Sequence, residues 1–176
     1  MIEITQNVSI GNEFDYEFDV QFRNGWSTIH ACKEPYHRAA LGYTGRACSK
    51  DNPEYLIARR DNRLILNLVD VDNPDWISPI IIDAALAFID EQLALGQQVL
   101  VHCNQGHSRA AGIGLLYLSR KNKFSGMTFE QAEEAEGMEV DGAPPQAFKD
   151  EAAGGQEDQD QEEVWEEDWT MAVEDG

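Results

Sequence analysis

Between the apolar run Val99-Leu100-Val101 and the apolar segment 110–118 lie eight residues, His-Cys-Asn-Gln-Gly-His-Ser-Arg, from His102 to Arg109. Residues 97–102 have the β-branched content and short length of a buried strand, and Gly96 closes the helical pattern before them. Beyond the eight residues, Leu115, Leu116 and Leu118 continue at helical spacing towards the basic cluster Arg120, Lys121 and Lys123. A strand that turns directly into a helix commits the chain to an α/β arrangement, a compact sheet flanked by helices. The turn itself is an anion site in waiting. Backbone N–H groups at a helix start have no intrahelical partner, the helix dipole adds partial positive charge, and successive loop amides can curl around one tetrahedral anion. Gly106 sits where that curl needs a close approach or a positive φ. Arg109 brings a planar fork able to bind two phosphate oxygens.

A cysteine set among loop amides, a helix N-terminus and a guanidinium has its thiol pKa lowered from about 8.5 to roughly 3.5–7.5. Cys103 is therefore expected to be a nucleophile; the plainer alternative is a buried packing cysteine. Displacement at a phosphate ester also needs a proton for the leaving oxygen, and a carboxylic acid supplies one. Residues 64–69 read as a buried strand, and Asn73-Pro74 marks the loop leaving it. Asp70, Asp72 and Asp75 thus lie at or just past a strand end, where open α/β sheets place their ligand crevices.

The His-Cys-x-x-Gly-x-Ser-Arg run resembles the phosphate-binding loop of cysteine-dependent protein tyrosine phosphatases, and the short chain resembles the dual-specificity branch, over roughly residues 55–136. The resemblance implies that Cys103 attacks phosphorus and that Arg109 binds the phosphate together with the loop 104–108, that is Asn104, Gln105, Gly106, His107 and Ser108. The side chains of Asn104, Gln105 and His107 are expected to point away while their amides point in. Ser108 would help the sulfur depart, and could also cap the helix. His102 would orient the loop and tune the thiolate, or simply be a core histidine with its hydrogen bonds satisfied. The family's acid lies about thirty residues before the cysteine; Asp72 fits that best, with Asp70 second and Asp75 third. No metal and no cofactor is required by such chemistry. The substrate would be a phosphorylated protein, and alternatives are a phosphoinositide, a nucleotide or an RNA 5′ phosphate. A catalytically weak phosphate-binding module, or a sulfur or arsenate enzyme, could share the loop.

Charge divides the chain. Of its 176 residues and formal net charge of −20, residues 1–129 carry 15 acidic and 12 basic side chains, net −3. Residues 130–176 carry 18 acidic residues against Lys149 alone, net −17. Gly142-Ala-Pro-Pro145 breaks the helical pattern, and Gly154 to Glu163 is polar and acidic with no apolar periodicity. The reading is a catalytic domain over 1–142 and a disordered acidic tail over 143–176. Trp165 and Trp169, four residues apart, form an apolar stripe that could dock as one or two helical turns; the tail could bind a partner, or inhibit by contacting Arg59, Arg60 and Arg63 or competing at the phosphate site. An acidic chain is a poor binder of nucleic acid or anionic membrane. Cys32, Cys48 and Cys103 are odd in number and form no CxxC pair, so neither a disulfide framework nor a zinc site is expected. His30, Cys32 and His37 match no common zinc spacing and are assigned to packing or the pocket rim. With no signal peptide or membrane span, the expected location is cytoplasmic.

Strands are also expected over 3–10 and 27–32. A helix over 79–95 is expected with Ser78 as N-cap and Pro79 first, and a last helix from Thr128 with Gln131 completing a capping box. Residues 33–54 are read as loops able to wall the pocket.

Overall fold

The computed structural model describes residues 1–71, 76–121, 123 and 129–136. Its strands are β1 (Ile2–Thr5), β2 (Val8–Gly11), β3 (Trp26–His30), β4 (Ile57–Arg60), β5 (Arg63–Leu66) and β6 (Gln98–His102), in one sheet of order β1-β2-β6-β3-β5-β4. The inner four, β2, β6, β3 and β5, run parallel. Antiparallel β1 and β4 close the two edges. The stretch 3–10 is thus two strands rather than one, because Asn7 turns the chain at φ 64°, a left-handed conformation that asparagine tolerates.

The helices are α1 (Arg38–Leu41), α2 (Pro79–Ala94), α3 (Ser108–Arg120) and α4 (Phe129–Glu136). Ser78 has the extended backbone of an N-cap, and Pro79 opens α2, but the Ser78 side chain makes no cap bond. The proposed cap Thr128 lies outside the described residues, as does the tail 143–176. Two wide helical turns, Asp15–Val20 and Lys33–His37, occupy stretches that sequence pattern alone left as loop.

Alternation along β6 sorts the two layers. Val99 and Val101 join the main core with Ile29, Leu66, Ile89, Ile113, Leu115 and Leu116. Leu100 joins Tyr16, Val20 and Trp26 on the other face. Gly114 sets how closely α3 approaches: a Cβ there would meet Ile10 Cγ2 at 2.9 Å and Ile4 Cδ1 at 3.0 Å. From β5 the chain crosses through α2 to β6, with β3 lying between the two strands, the crossover that parallel strands require.

Register brings the site together. Gly11 and His30 are both level with His102, and Ile65 is level with His30, so the four parallel strands end at one edge. Two of the arginines considered as anchors for the tail are engaged locally: Arg59 Nη1 donates to Glu91 at 2.9 Å, and Arg60 Nη2 to Glu54 at 2.9 Å. No helix among the described residues is long and apolar enough to cross a membrane.

Candidate active site

Cys103 comes directly after the last residue of β6 and is 2 % exposed, at the floor of the loop 103–108. Its N–H donates to the Gly11 carbonyl at 3.3 Å. The Gly106 N–H donates to Cys103 Sγ at 3.2 Å, so at least one loop amide is aimed at the sulfur. Gly106 makes that possible with φ +87°, and the Gly11 backbone packs directly against it. A Cβ there would lie 3.1 Å from Gly11 C and 3.2 Å from Asn12 N. Gly106→Ala should cost about 1–3 kcal/mol of backbone strain. The expected result is a thermal unfolding midpoint several degrees lower with slower alkylation of Cys103; an unchanged midpoint would show that the loop accommodates the methyl.

Arg109, in the first turn of α3, reaches back over the loop with its side chain only 11 % exposed. Nη1 donates to the Leu68 carbonyl at 3.4 Å, and Nη2 donates to Asn104 Oδ1 at 3.1 Å and to Asp70 Oδ2 at 3.4 Å. Nε is buried with no hydrogen-bond partner among the described residues. Gln105 and His107 are exposed, as expected of side chains turned outward. Asn104 departs from that expectation. Besides holding Arg109, its Nδ2 donates to Glu13 Oε2 at 3.3 Å and to the Glu34 carbonyl at 3.0 Å. It is a cross-brace rather than a free loop side chain. Ser108 is the first residue of α3; His107 takes the N-cap position, without a side-chain cap bond, so Ser108 is not the helix cap.

Of the three aspartates, Asp70 is brought to Arg109, with its side chain 64 % exposed. Asp72 and Asp75 lie outside the described residues. Cys32, on the loop after β3, is buried, and burial pushes its thiol up to about 12; Arg109 offsets part of this, while Cys103 and Glu13 add to it. Cys32 therefore stays a thiol near neutrality. His37 is a packing residue, its Nε2 3.2 Å from the Glu54 carbonyl and its Nδ1 3.3 Å from Tyr43 Oη. Among the described residues no three metal-ligating side chains cluster. A cavity of about 340 Å³ lies beside the loop, lined by Ile10, Gly11, Gln105, Gly106 and His107 among others; Cys103 and Arg109 do not line it.

Pattern reading missed the support from the N-terminal segment. Gly11 touches the loop, and Asn12 and Asp15 cap one another's backbone: the Asn12 N–H donates to Asp15 Oδ2 at 2.9 Å, and the Asp15 N–H to Asn12 Oδ1 at 3.1 Å. The spacing Asn12-x-x-Asp15 is a capping-box signal that announces the helical turn 15–20.

No family model and no curated protein matches the sequence. Solved structures do match in fold. Human DUSP28 superposes with a TM-score of 0.50 at 13 % identity, covering 88 % of this chain and 94 % of that one. The human tyrosine phosphatase-like serine/threonine/tyrosine-interacting protein superposes with a TM-score of 0.51 at 20 % identity, covering 86 % and 92 %. At such identities the likeness speaks for the fold alone: a mixed six-stranded sheet flanked by helices, of the dual-specificity phosphatase type.

Proposed function

We propose that this chain, whose fold is that of the dual-specificity phosphatase-like members of the protein tyrosine phosphatase superfamily, is a cysteine-dependent phosphatase acting on phosphorylated protein. The observation that carries the reading is the Gly106 N–H directed at Cys103 Sγ in a loop whose far end holds the Arg109 fork. A phosphoryl group seated on the loop amides and Arg109 would present phosphorus to the sulfur in line with the leaving oxygen. Sulfur bonds to phosphorus as the ester oxygen leaves, and Asp72 gives that oxygen its proton. Water, deprotonated by the same carboxylate, then attacks phosphorus; inorganic phosphate leaves and the thiolate is restored, with Ser108 steadying the departing sulfur. Amides and guanidinium neutralise the equatorial oxygens throughout. The protein's partners are then phosphomonoester substrates, and the tail 143–176 is a separate acidic segment for a protein partner, appended to a catalytic domain over 1–142.

The division of labour between the aspartates tests the scheme. Asp72→Asn should lower kcat for an alkyl phosphate by about 10²–10⁴-fold, and less for an aryl phosphate with a good leaving group. Asp70 rests on Arg109 at 3.4 Å, where its carboxylate competes with an anionic substrate. Asp70→Asn should therefore lower KM and leave kcat within a few-fold. Steady-state kinetics of both variants with both substrates read this directly. A kcat collapse in Asp70→Asn with Asp72→Asn unaffected would move the acid to Asp70.

A further inference from the structure

Behind Cys103, on the sheet face opposite α2 and α3, four rings pack around one short contact. His30 on β3 and His102 on β6 are register partners in the parallel ladder, and both are fully buried. His30 Nδ1 lies 2.6 Å from His102 Nε2. Tyr16 stacks on His102 with centroids 5.0 Å apart and planes 2° apart, and Tyr36 stacks on His30 at 4.2 Å and 18°. Each stacked pair meets the other edge-on. The rings fix both imidazole planes, so the contact cannot be relieved by rotation.

Two nitrogens at 2.6 Å must share a single proton, so the two tautomers are coupled. Burial pushes both histidines down, His102 to about 4 and His30 to about 2, so both are neutral near pH 7. A charge on His102, and Arg63, lower His30 further, whereas the Cys103 backbone and the Asp15 carboxylate favour a proton on His102. His102 Nδ1 has no hydrogen-bond partner among the described residues, and the Cys103 backbone favours a proton on this ring. If His30 is the donor in the contact, the His102 proton lies on Nδ1, and the Nε2 of His30, which also has no hydrogen-bond partner among the described residues, is left bare.

We propose that His30 is a positioning residue, donating its Nδ1–H to His102 Nε2 and so holding the His102 proton on Nδ1, facing the peptide that starts the Cys103 loop. The proposal rests on the phosphatase reading only for its purpose, since the tautomers and the reactivity of Cys103 are measurable without turnover. Without this donor, His102 is released to carry its proton on Nε2, and a bare Nδ1 lone pair is then set against the Cys103 backbone that favours a proton on the ring. That repulsion shifts the peptide from which the loop amides are aimed at sulfur, and the thiolate loses support.

The test has two arms. In the wild-type protein, ¹⁵N correlation spectra of the imidazoles should show His30 and His102 both protonated on Nδ1; a proton on His102 Nε2 overturns the proposal without any variant being needed. Second, the pH dependence of Cys103 alkylation by iodoacetamide, mapped by mass spectrometry, is compared in wild type, His30→Phe and His30→Asn. His30→Phe should move the midpoint up by about one unit or more, the size of a lost specific interaction with the charged form. His30→Asn, whose amide nitrogen overlies Nδ1, should restore it to within about 0.3 unit on the same scale. A His30→Phe profile that superposes on wild type, or an Asn variant shifted as far as Phe, overturns the proposal. Wild-type turnover of an aryl phosphate, measured alongside, reports separately on the phosphatase reading.

Discussion

Cys103→Ser is expected to reduce hydrolysis of a small aryl phosphate by at least about 10⁴-fold, the order of loss seen when a covalent nucleophile is removed. The exchange is nearly isosteric at a position 2 % exposed, and Ser keeps the backbone bond to Gly11, so the fold and the seat for phosphate should survive. What changes is the nucleophile: sulfur attacks phosphorus and leaves it far more readily than a hydroxyl oxygen, which needs a base to take its proton. The measurement is turnover from pH 5 to 8 with chelator present, beside inhibition or thermal stabilisation by inorganic phosphate. Lost turnover with retained phosphate binding supports the nucleophile. Equal turnover in both proteins would remove Cys103 from the chemistry, and no turnover in either would make the chain a phosphate-binding module. Alkylation must be mapped by residue, because Cys48 is partly exposed, while Cys32 is buried and held as a thiol.

The strand, loop and helix around Cys103 were legible because each carries a local signal: β-branched content in β6, a glycine in the turn, leucines at helical spacing in α3. The crossover through α2 was legible for the same reason, with Pro79 marking its start. The missed parts are those whose cause is not local. Nothing in the spacing of His30 shows that β3 lies beside β6, so its contact with His102 appears only once register is known. Asn104, like Gln105 and His107, is expected from the sequence only to point away from the phosphate; its amide finds Arg109, Glu13 and Glu34, which come from three distant parts of the chain. The hairpin at Asn7 was overlooked because apolar residues on both strands continue one alternating pattern through the turn. The helical turns at 15–20 and 33–37 are too short to develop amphipathic periodicity, although the Asn12 and Asp15 box announces the first. At the level of the site, a loop's sequence names its chemistry, while the residues that hold the loop in place come from tertiary contacts.

Arg109→Lys separates charge from shape at the same site. The substitution keeps one positive charge on a side chain that is 11 % exposed, but replaces a planar fork with a point charge. In the structure the guanidinium is held by three acceptors, the Leu68 carbonyl, Asn104 Oδ1 and Asp70 Oδ2, all through its Nη atoms. These contacts fix its plane over the loop before substrate arrives, and an ammonium can satisfy them only one geometry at a time. The largest loss should fall where phosphorus carries five oxygen or sulfur neighbours and the equatorial oxygens spread, since that is where two parallel N–H donors outperform one. The expected result is a fall in kcat/KM of about 10²–10³-fold, comparable to removing a preorganised donor from a developing oxyanion. Phosphate affinity should fall by a smaller factor, because charge attraction persists. Adding guanidinium ion to an Arg109→Ala variant should recover part of the lost rate, whereas ammonium should not. If Arg109→Lys keeps wild-type kcat/KM, the planar fork is not part of the reaction and Arg109 acts only as a brace tying α3 to the loop after β5.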